Sequence, residues 1–242
     1  MKINYVKRSV LLLAVLAVLF YFGGYGEVIG FGQRVMAYPT YGIPALSVDN
    51  QGITVVVDSG HGGSDPGKVG LHGEKEKEIN LSIAKKLQRN LEHQGIRVVM
   101  TRTDDNGLYS AGSANKKRED MNRRVEMMNM PGTVLAVSIH QNSFTNSKYK
   151  GAQVFYYKTS EKSERLAKTI QQSLIENADS TNTRQAKKND SYYILKKSEI
   201  PAVIVECGFL SNEEESAKLT NEIYQEKIAW AIHIGIMRYL AV

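Results

Sequence analysis

The chain has 242 residues, of which 42% are hydrophobic and 23% are charged. This length and composition fit one globular domain with a short extension and argue against two full domains. The net charge of +6 suits an anionic surface such as a membrane or a cell wall. The lysines and arginines are dispersed without an aromatic-rich basic motif, which argues against nucleic-acid binding. The single cysteine, Cys207, excludes an intrachain disulfide and a thiolate metal cluster.

The first 27 residues form a segment of their own. Three basic residues precede an uncharged apolar stretch at residues 9–26, whose length at about 1.5 Å per residue nearly matches a hydrocarbon core of about 30 Å. The same pattern describes a secretory signal. We favour an uncleaved signal-anchor over a signal peptide for residues 1–27, because the nearest small-x-small cleavage pattern lies at residues 35–37. The rest of the chain is then expected outside the cytoplasm, with membrane contact through this segment.

Residues 28–52 contain two prolines and no long period, which is typical of a linker. From residue 53 to residue 242, apolar strand-like runs alternate with helical patterns. The predicted strands are 53–57, 97–101, 134–139, 152–157 and 202–205, the predicted helices are 75–94, 117–130, 161–177 and 222–240, and the polar residues 179–189 are expected to form a loop.

Several predicted strands are continuous β-branched runs, such as residues 54–57 and 203–205. Such strands are typical of a largely parallel sheet that is covered on both faces. Strands that alternate with helices indicate layers of helices on that sheet. The predicted fold class is therefore α/β, with a single largely parallel sheet flanked by helices and preceded by an N-terminal hydrophobic helix.

Four chemically active side chains follow apolar strands or begin a helix. His61 lies in a glycine-rich turn after the first predicted strand, and Glu76 lies at the start of the first helix. His140 and Glu206 follow the third and the last predicted strands. Because α/β folds place their chemistry at the carboxyl ends of the strands, these residues are expected to meet. Two imidazoles and one carboxylate form a common catalytic zinc shell, and a further carboxylate can move protons.

Three acids compete for the carboxylate position in this shell: Glu74, Glu76 and Glu78. At about 100° per residue, Glu76 lies within about 20° of Ile83 and Leu87, whereas the other two acids lie about 160° away. Glu76 is thus expected to face inward, where a carboxylate is unfavourable unless a metal or a partner neutralises it. Alternatively, all three acids complement the positive end of the helix.

Each candidate also has a simpler interpretation. His61 and His140 could be structural histidines without a ligand, and Glu206 could be a buried salt-bridge partner, for example to Arg124. Cys207 could act as a nucleophile, but this interpretation leaves His61 and Glu76 unexplained. The remaining histidines are weaker ligand candidates because they lie in a polar loop or in helical stretches without a second ligand nearby: His72, His93 and His233.

Taken together, these elements resemble the zinc-dependent N-acetylmuramoyl-L-alanine amidases of the family called amidase 3. The resemblance covers about residue 53 to the C-terminus. It implies zinc (Zn2+) bound by His61, Glu76 and His140, with Glu206 as the catalytic carboxylate and Arg124 as a possible support. The motifs that carry it are residues 55–67 (VVVDSGHGGSDPG), 76–81 (EKEINL), 101–104 (TRTD), 124–129 (RVEMMN), 138–143 (SIHQNS) and 205–212 (VECGFLSN).

The chain departs from the family pattern at Ser59, where proline is usual, and at Gln141, where alanine is common. Gln141 is expected to affect substrate contacts. Some relatives carry a regulatory helix after the second histidine, but the ten residues 141–150 are too few for one. The compact layout behind an N-terminal anchor is similar to the germination-specific amidases of spore-forming bacteria. This similarity implies a role in forming muramic lactam in the spore cortex, and a location such as the forespore intermembrane space.

The function implied by the resemblance is hydrolysis of the amide bond between N-acetylmuramic acid and L-alanine, with peptidoglycan as the partner and an activating protein as a further possible partner. Two alternatives stay open from the sequence. A zinc carboxypeptidase acting on the stem peptide would use the same metal shell. A non-catalytic wall-binding protein would not need the metal shell. The presence of all four site residues argues against that alternative.

Overall fold

The computed structural model describes residues 52–241, so the predicted anchor and nearly all of the predicted linker lie outside the described residues. The described strands are β1 (Thr54–Ser59), β2 (Arg97–Met100), β3 (Thr133–Asn142), β4 (Gln153–Tyr157), β5 (Lys187–Asn189) and β6 (Ala202–Phe209). The described helices are α1 (Glu76–Glu92), α2 (Lys116–Met128), α3 (Glu161–Asn177), α4 (Tyr193–Lys197), α5 (Glu213–Thr220) and α6 (Glu222–Leu240). Within residues 52–241, no helix combines the length and the apolar character needed to cross a bilayer.

The six strands form one sheet in the order β2-β1-β3-β6-β4-β5. Strands β1, β2, β3 and β6 run parallel, whereas β4 is antiparallel to β6 and pairs in parallel with β5. The prediction of one largely parallel sheet is confirmed. The reversed direction of β4 follows from its connection to β3, because residues 143–152 are too few for a parallel crossover, which needs about a dozen residues or more.

Alternate side chains of the central strands enter two cores on opposite faces of the sheet. Val55 and Val57 pack in the core formed with α1, α3 and α6, while Val56 packs in the core formed with α2 and α4. All three side chains are fully buried, which explains why β1 is a continuous β-branched run. Because β1, β3 and β6 are parallel neighbours, their carboxyl ends lie side by side at one edge of the sheet. This edge carries the candidate site.

Two central strands extend further than their apolar residues predict. β3 continues from the predicted end at residue 139 to Asn142, and β6 continues from residue 205 to Phe209. In this extension His140 pairs with Glu206, and a register irregularity follows before Asn142 pairs with Phe209. Backbone hydrogen bonds make this pairing, and they do not depend on which side chains the paired residues carry. His140 and Glu206 therefore lie within strands, and the prediction that each follows its strand is wrong.

Three short elements were not predicted from the sequence: β5, α4 and α5. β5 occupies the end of the predicted loop at residues 179–189. α4 has five residues, too few for a helical period to be recognised. α5 has a clear start signal, because the Asn212 side chain accepts the Glu215 N–H and three acids occupy the first turn. That signal was available in the sequence.

His233 is a histidine buried in α6, and its burial is expected to make the stability of the fold depend on pH. It is 2% exposed, and neither ring nitrogen has a hydrogen-bond partner among residues 52–241. Burial lowers the pKa of His233 from 6.5 to about 4. Between these pH values the unfolded chain binds a proton that the folded chain does not, so the free energy of unfolding falls as the pH drops from 6.5 to 4. We expect His233→Leu to remove about 3 kcal/mol of this fall, measured by urea unfolding at pH 7 and pH 4. An unchanged pH dependence in the variant would contradict the assignment.

Candidate active site

His61 lies in the turn that follows β1, and its backbone is left-handed with φ of 63°. A side chain cannot be accommodated at Gly60, because a Cβ there would lie 2.3 Å from the His140 ring. His61 Nδ1 is 2.9 Å from Asp65 Oδ2, and Asp65 Oδ1 accepts the Gly67 N–H at 3.0 Å. This second contact fixes Asp65, which in turn orients the His61 ring so that Nε2 faces the interior of the site.

Glu76 is the first residue of α1 and is only 2% exposed, which confirms the inward orientation expected from the helical phase. Glu76 Oε1 is 3.2 Å from His61 Nε2 and 2.9 Å from His140 Nδ1. The same oxygen accepts the Gln141 N–H at 3.0 Å, and Oε2 accepts the Lys68 N–H at 2.8 Å. One buried carboxylate therefore joins the His61 turn, β3 and α1.

The charges of these side chains suit a cation between them. A neutral imidazole has one N–H, yet both nitrogens of His61 face carboxylates. Burial lowers the pKa of His61, but Glu76 and Asp65 outweigh it and leave the pKa above its usual value. Burial raises the pKa of Glu76, but the two imidazoles reverse this and hold it well below its usual range. Ligand atoms of His61, Glu76 and His140 lie within 4.8 Å of one another, so these residues can hold a metal ion.

Glu206 lies on β6 opposite His140 on β3. It is 8% exposed, and its Oε2 atom has no hydrogen-bond partner among the described residues. Burial raises the pKa of Glu206 to about 7, an effect that His140 opposes and Glu76 reinforces. A carboxyl group with this pKa can both accept and donate a proton near neutral pH.

His61, Glu76, His140 and Glu206 line one groove of about 910 Å³. The structure therefore brings all four sequence-predicted residues to a single opening at the carboxyl edge of the sheet. The walls of this groove carry lysines and tyrosines beside the acidic residues of the site. The lysines and tyrosines of these walls are Lys68, Lys116, Lys117, Tyr109, Tyr192 and Tyr193.

Arg124 lies beneath the His61 turn. Its guanidinium forms salt bridges with Asp58 at 2.5 Å and with Asp120 at 2.6 Å, and it donates to the His61 carbonyl at 2.6 Å. The salt bridge between Arg124 and Glu206, considered as an alternative from the sequence, is wrong. Arg124 instead holds the backbone that presents His61, because its planar fork reaches two carboxylates and a carbonyl at once.

Asp58, at the end of β1, is the buried carboxylate that pairs with Arg124. It is fully buried and accepts hydrogen bonds from the hydroxyls of Thr101 and Ser138 as well as from Arg124. Burial raises the pKa of Asp58, but Arg124 and the Ser138 hydroxyl outweigh it and hold the pKa below its usual value. The carboxylate is thus ionised and paired, as a buried charge must be.

Three residues of the site were missed by the sequence reasoning: Asp58, Asp65 and Arg102, whose guanidinium donates to the Ser59 and Gly60 carbonyls beside His61. Asp58 lies at the end of a buried apolar strand, and Arg102 follows another strand at a distance of two residues. A charged residue at or just after the end of a buried strand was therefore a sequence signal that could have identified both Asp58 and Arg102. Asp65 lies four residues after His61. This spacing brings side chains together on a helix, but the glycine-rich turn is not helical, so the spacing offered no reason to pair the two residues.

The model of the amidase 3 family, described as N-acetylmuramoyl-L-alanine amidase, matches residues 55–238. The chain belongs to this family. The resemblance seen in the sequence is confirmed, and the enzyme is an N-acetylmuramoyl-L-alanine amidase.

Relatives of the amidase match along most of the chain. A germination-specific N-acetylmuramoyl-L-alanine amidase of Bacillus subtilis is 38% identical over 197 residues, covering 80% of this chain and 82% of that protein. The amidase AmiA of Escherichia coli is 31% identical over 234 residues, covering 76% of this chain and 75% of that protein. Among solved structures, the CwlD amidase of Clostridioides difficile in complex with the GerS lipoprotein is 46% identical, with a TM-score of 0.76. That match covers 78% of this chain and 98% of the solved chain.

The segment after the second histidine of the amidase is short, as predicted. Residues 143–152 contain turns and no helix, so a regulatory helix is absent from this described segment. The Gln141 side chain is 2% exposed and donates to Asn80 Oδ1 at 3.1 Å. Its amide therefore supports the interior beside Glu76. Gln141 also lines the groove, and its effect on substrate contacts stays a prediction.

The other candidates from the sequence lie away from the chemistry of the amidase. Cys207 is fully buried, and burial raises the pKa of its thiol, which disfavours the thiolate that a nucleophile needs. His72 and His93 are exposed. Glu78 pairs with Lys75 on the helix surface.

Proposed function

We propose that this amidase is a zinc enzyme that hydrolyses the amide bond between N-acetylmuramic acid and L-alanine in peptidoglycan. The observation that carries the proposal is the convergence of two imidazole nitrogens on one buried carboxylate oxygen, at 2.9 and 3.2 Å. Glu206 lines the same groove, and its Oε2 atom has no hydrogen-bond partner among residues 52–241. His61, Glu76 and His140 are the proposed metal ligands, and Glu206 is the proposed catalytic residue.

The donor set fits zinc. Two neutral nitrogens and one carboxylate oxygen are typical of catalytic zinc sites that leave one position open. Two glycines leave room for this arrangement, because a Cβ at Gly60 would meet His140 and a Cβ at Gly67 would lie 2.6 Å from Glu76 Oε2. Asp65 holds the far nitrogen of His61, as carboxylates commonly do for metal-bound histidines.

The reaction adds water across the amide bond and releases the L-alanine amine. Zinc held by these ligands supplies a Lewis acid that polarises the scissile carbonyl and lowers the pKa of water. Glu206 accepts the proton of the attacking water and delivers it to the leaving nitrogen as the C–N bond breaks. Its burial, which raises the pKa of the carboxyl group, suits its role in this transfer.

The setting of the reaction is inferred from the relatives. These relatives include a germination-specific amidase of Bacillus subtilis and a probable cell wall amidase of Staphylococcus epidermidis. We infer that this amidase acts outside the cytoplasm, held to the membrane by residues 1–27, with residues 28–52 as a linker and residues 53–242 as the catalytic domain. Its proposed role is muramic lactam formation in the spore cortex, within the forespore intermembrane space. Because CwlD was solved with a lipoprotein, we also propose an activating protein partner.

The decisive experiment is digestion of purified peptidoglycan, followed by mass spectrometry of the products. Release of whole stem peptides from intact glycan strands is expected. Loss of a terminal D-alanine alone would instead identify a carboxypeptidase, and the absence of any cleavage by the zinc-loaded protein would identify a non-catalytic wall-binding protein. A chelator is expected to stop the release, and added zinc is expected to restore it.

A ligand substitution tests the metal assignment. We expect Glu76→Gln to lose bound zinc and to reduce turnover to the level of the chelated enzyme, because the charged oxygen that faces both imidazoles is removed. Glu78→Gln is the matched control, since its carboxylate is 59% exposed on the same helix turn. Zinc content is measured by elemental analysis. Full zinc occupancy in the Glu76 variant would refute the proposed ligand set.

A further inference from the structure

Arg102 lies just beyond β2 and is 4% exposed. Its guanidinium donates to the carbonyls of Ser59 at 3.0 Å and of Gly60 at 3.1 Å. It also donates to the carbonyl of Lys77 at 2.7 Å and to that of Asp104 at 2.8 Å. Four hydrogen bonds from one side chain to four different carbonyls fix the position of each of these backbone segments relative to the others.

Two of these backbone segments carry proposed metal ligands. Ser59 and Gly60 lead directly into His61, and Lys77 directly follows Glu76. The same Nη2 atom donates to Gly60 and to Lys77, so a single guanidinium nitrogen joins the His61 turn to the first turn of α1. Asn80 of α1 also donates to the Gly60 carbonyl, at 3.1 Å, but Arg102 is the side chain that contacts the backbone next to both ligands.

The contacts of Arg102 differ from those of a charge held by ion pairing. Among residues 52–241 Arg102 forms no salt bridge, whereas the neighbouring Arg124 pairs with Asp58 and Asp120. The Arg102 side chain also packs against the turn, because a Cβ at Gly62 would lie 3.0 Å from its Cδ and Nε atoms. A buried cation without a carboxylate partner is unfavourable unless its hydrogen bonds compensate. Here three of the four acceptors are carbonyls close to the ligands His61 and Glu76.

We propose that Arg102 is a positioning residue for the metal centre, and that it holds His61 and Glu76 at binding distance before the ion arrives. Arg124 fixes the His61 turn from beneath, whereas Arg102 links that turn to α1. A pair of ligands that is already spaced loses less conformational freedom when the ion binds, so the affinity is higher. The inference rests on the proposed zinc function.

The test compares zinc affinity in the wild-type amidase with that in two variants, by competition with a chromophoric chelator. Arg102→Met keeps the apolar stem and is expected to weaken zinc binding by about 10–100-fold, the range found for residues that support metal ligands. Arg102→Lys keeps the charge but lacks the planar fork, and its affinity is expected to lie between those of the wild type and the Met variant. Arg97→Met is the control, because Arg97 is an exposed arginine at the start of β2, the strand that precedes Arg102.

A spectroscopic measurement separates positioning from general stability. The absorption bands of bound Co²⁺ report ligand geometry, and we expect them to shift in both Arg102 variants but not in Arg97→Met. Affinity and spectra equal to wild type in a folded Arg102→Lys protein would overturn the inference, whether or not Arg102→Met folds. Failure of the wild-type amidase to bind zinc would overturn the proposed function, and the inference with it. The two failures are therefore distinguishable.

Discussion

Glu206→Gln is expected to lower kcat of the amidase by about 10²–10⁴-fold, the range attributed to general acid–base catalysis. The glutamine keeps the shape of the side chain but can neither accept the proton of water nor return it to the leaving nitrogen. Because Glu206 makes no hydrogen bond through Oε2 to the described residues, the substitution disrupts no observed contact of that atom. The measurement is release of stem peptides from peptidoglycan at saturating substrate.

The control for this substitution is Glu199→Gln, which changes an exposed carboxylate near the start of β6 and is expected to leave kcat unchanged. Zinc content should equal that of the wild type in both variants. Near-native turnover by Glu206→Gln would refute its assignment as the proton carrier. Loss of zinc from the variant would instead show that Glu206 contributes to metal binding.

Arg124→Met is expected to lower the free energy of unfolding by about 3–5 kcal/mol, the range for a buried ion pair that loses one partner. Arg124 is 2% exposed and Asp58 is fully buried, so methionine leaves an ionised carboxylate without its cation. The hydroxyls of Thr101 and Ser138 remain but carry no compensating charge. Urea unfolding of the metal-free protein at pH 7 measures the effect.

Arg123→Met on the same helix is the control. Arg123 is 54% exposed and pairs with Glu119, so its loss is expected to change the free energy of unfolding by at most about 1 kcal/mol. The double variant Asp58→Asn with Arg124→Met should recover part of the lost stability, because it removes the unpaired charge. Equal, small effects of Arg123→Met and Arg124→Met would show that the buried cluster does not stabilise the fold.

The long helices were predictable because their signals are local. The predicted bounds 161–177 and 222–240 match α3 and α6 as observed. Each helix has a side-chain cap in the sequence, since Ser160 and Asn221 accept N–H groups of the first turn. The choice of Glu76 over Glu74 and Glu78 was also local, because helical phase alone decides which of the three acids faces the sheet.

The strand ends and the charge partners could not be predicted in this way. β3 and β6 extend through His140 and Glu206 because they pair with each other, and one strand read alone gives no sign of that pairing. Likewise, Arg124 and Asp58 are separated by 66 residues in the chain. Which carboxylate an arginine meets depends on how α2 packs below β1, and no spacing in the sequence specifies it.

The sequence by itself determined the α/β alternation, the family and the four residues of the groove, because periodicity and strand order bring polar residues to one edge of a parallel sheet. Only the tertiary structure decided how those residues are held. The pairing of His140 with Glu206, the Asp58–Arg124 pair and the Arg102 bridge between the His61 turn and α1 all join residues that are distant in the chain. Such contacts depend on three-dimensional packing, which local propensity and spacing do not encode.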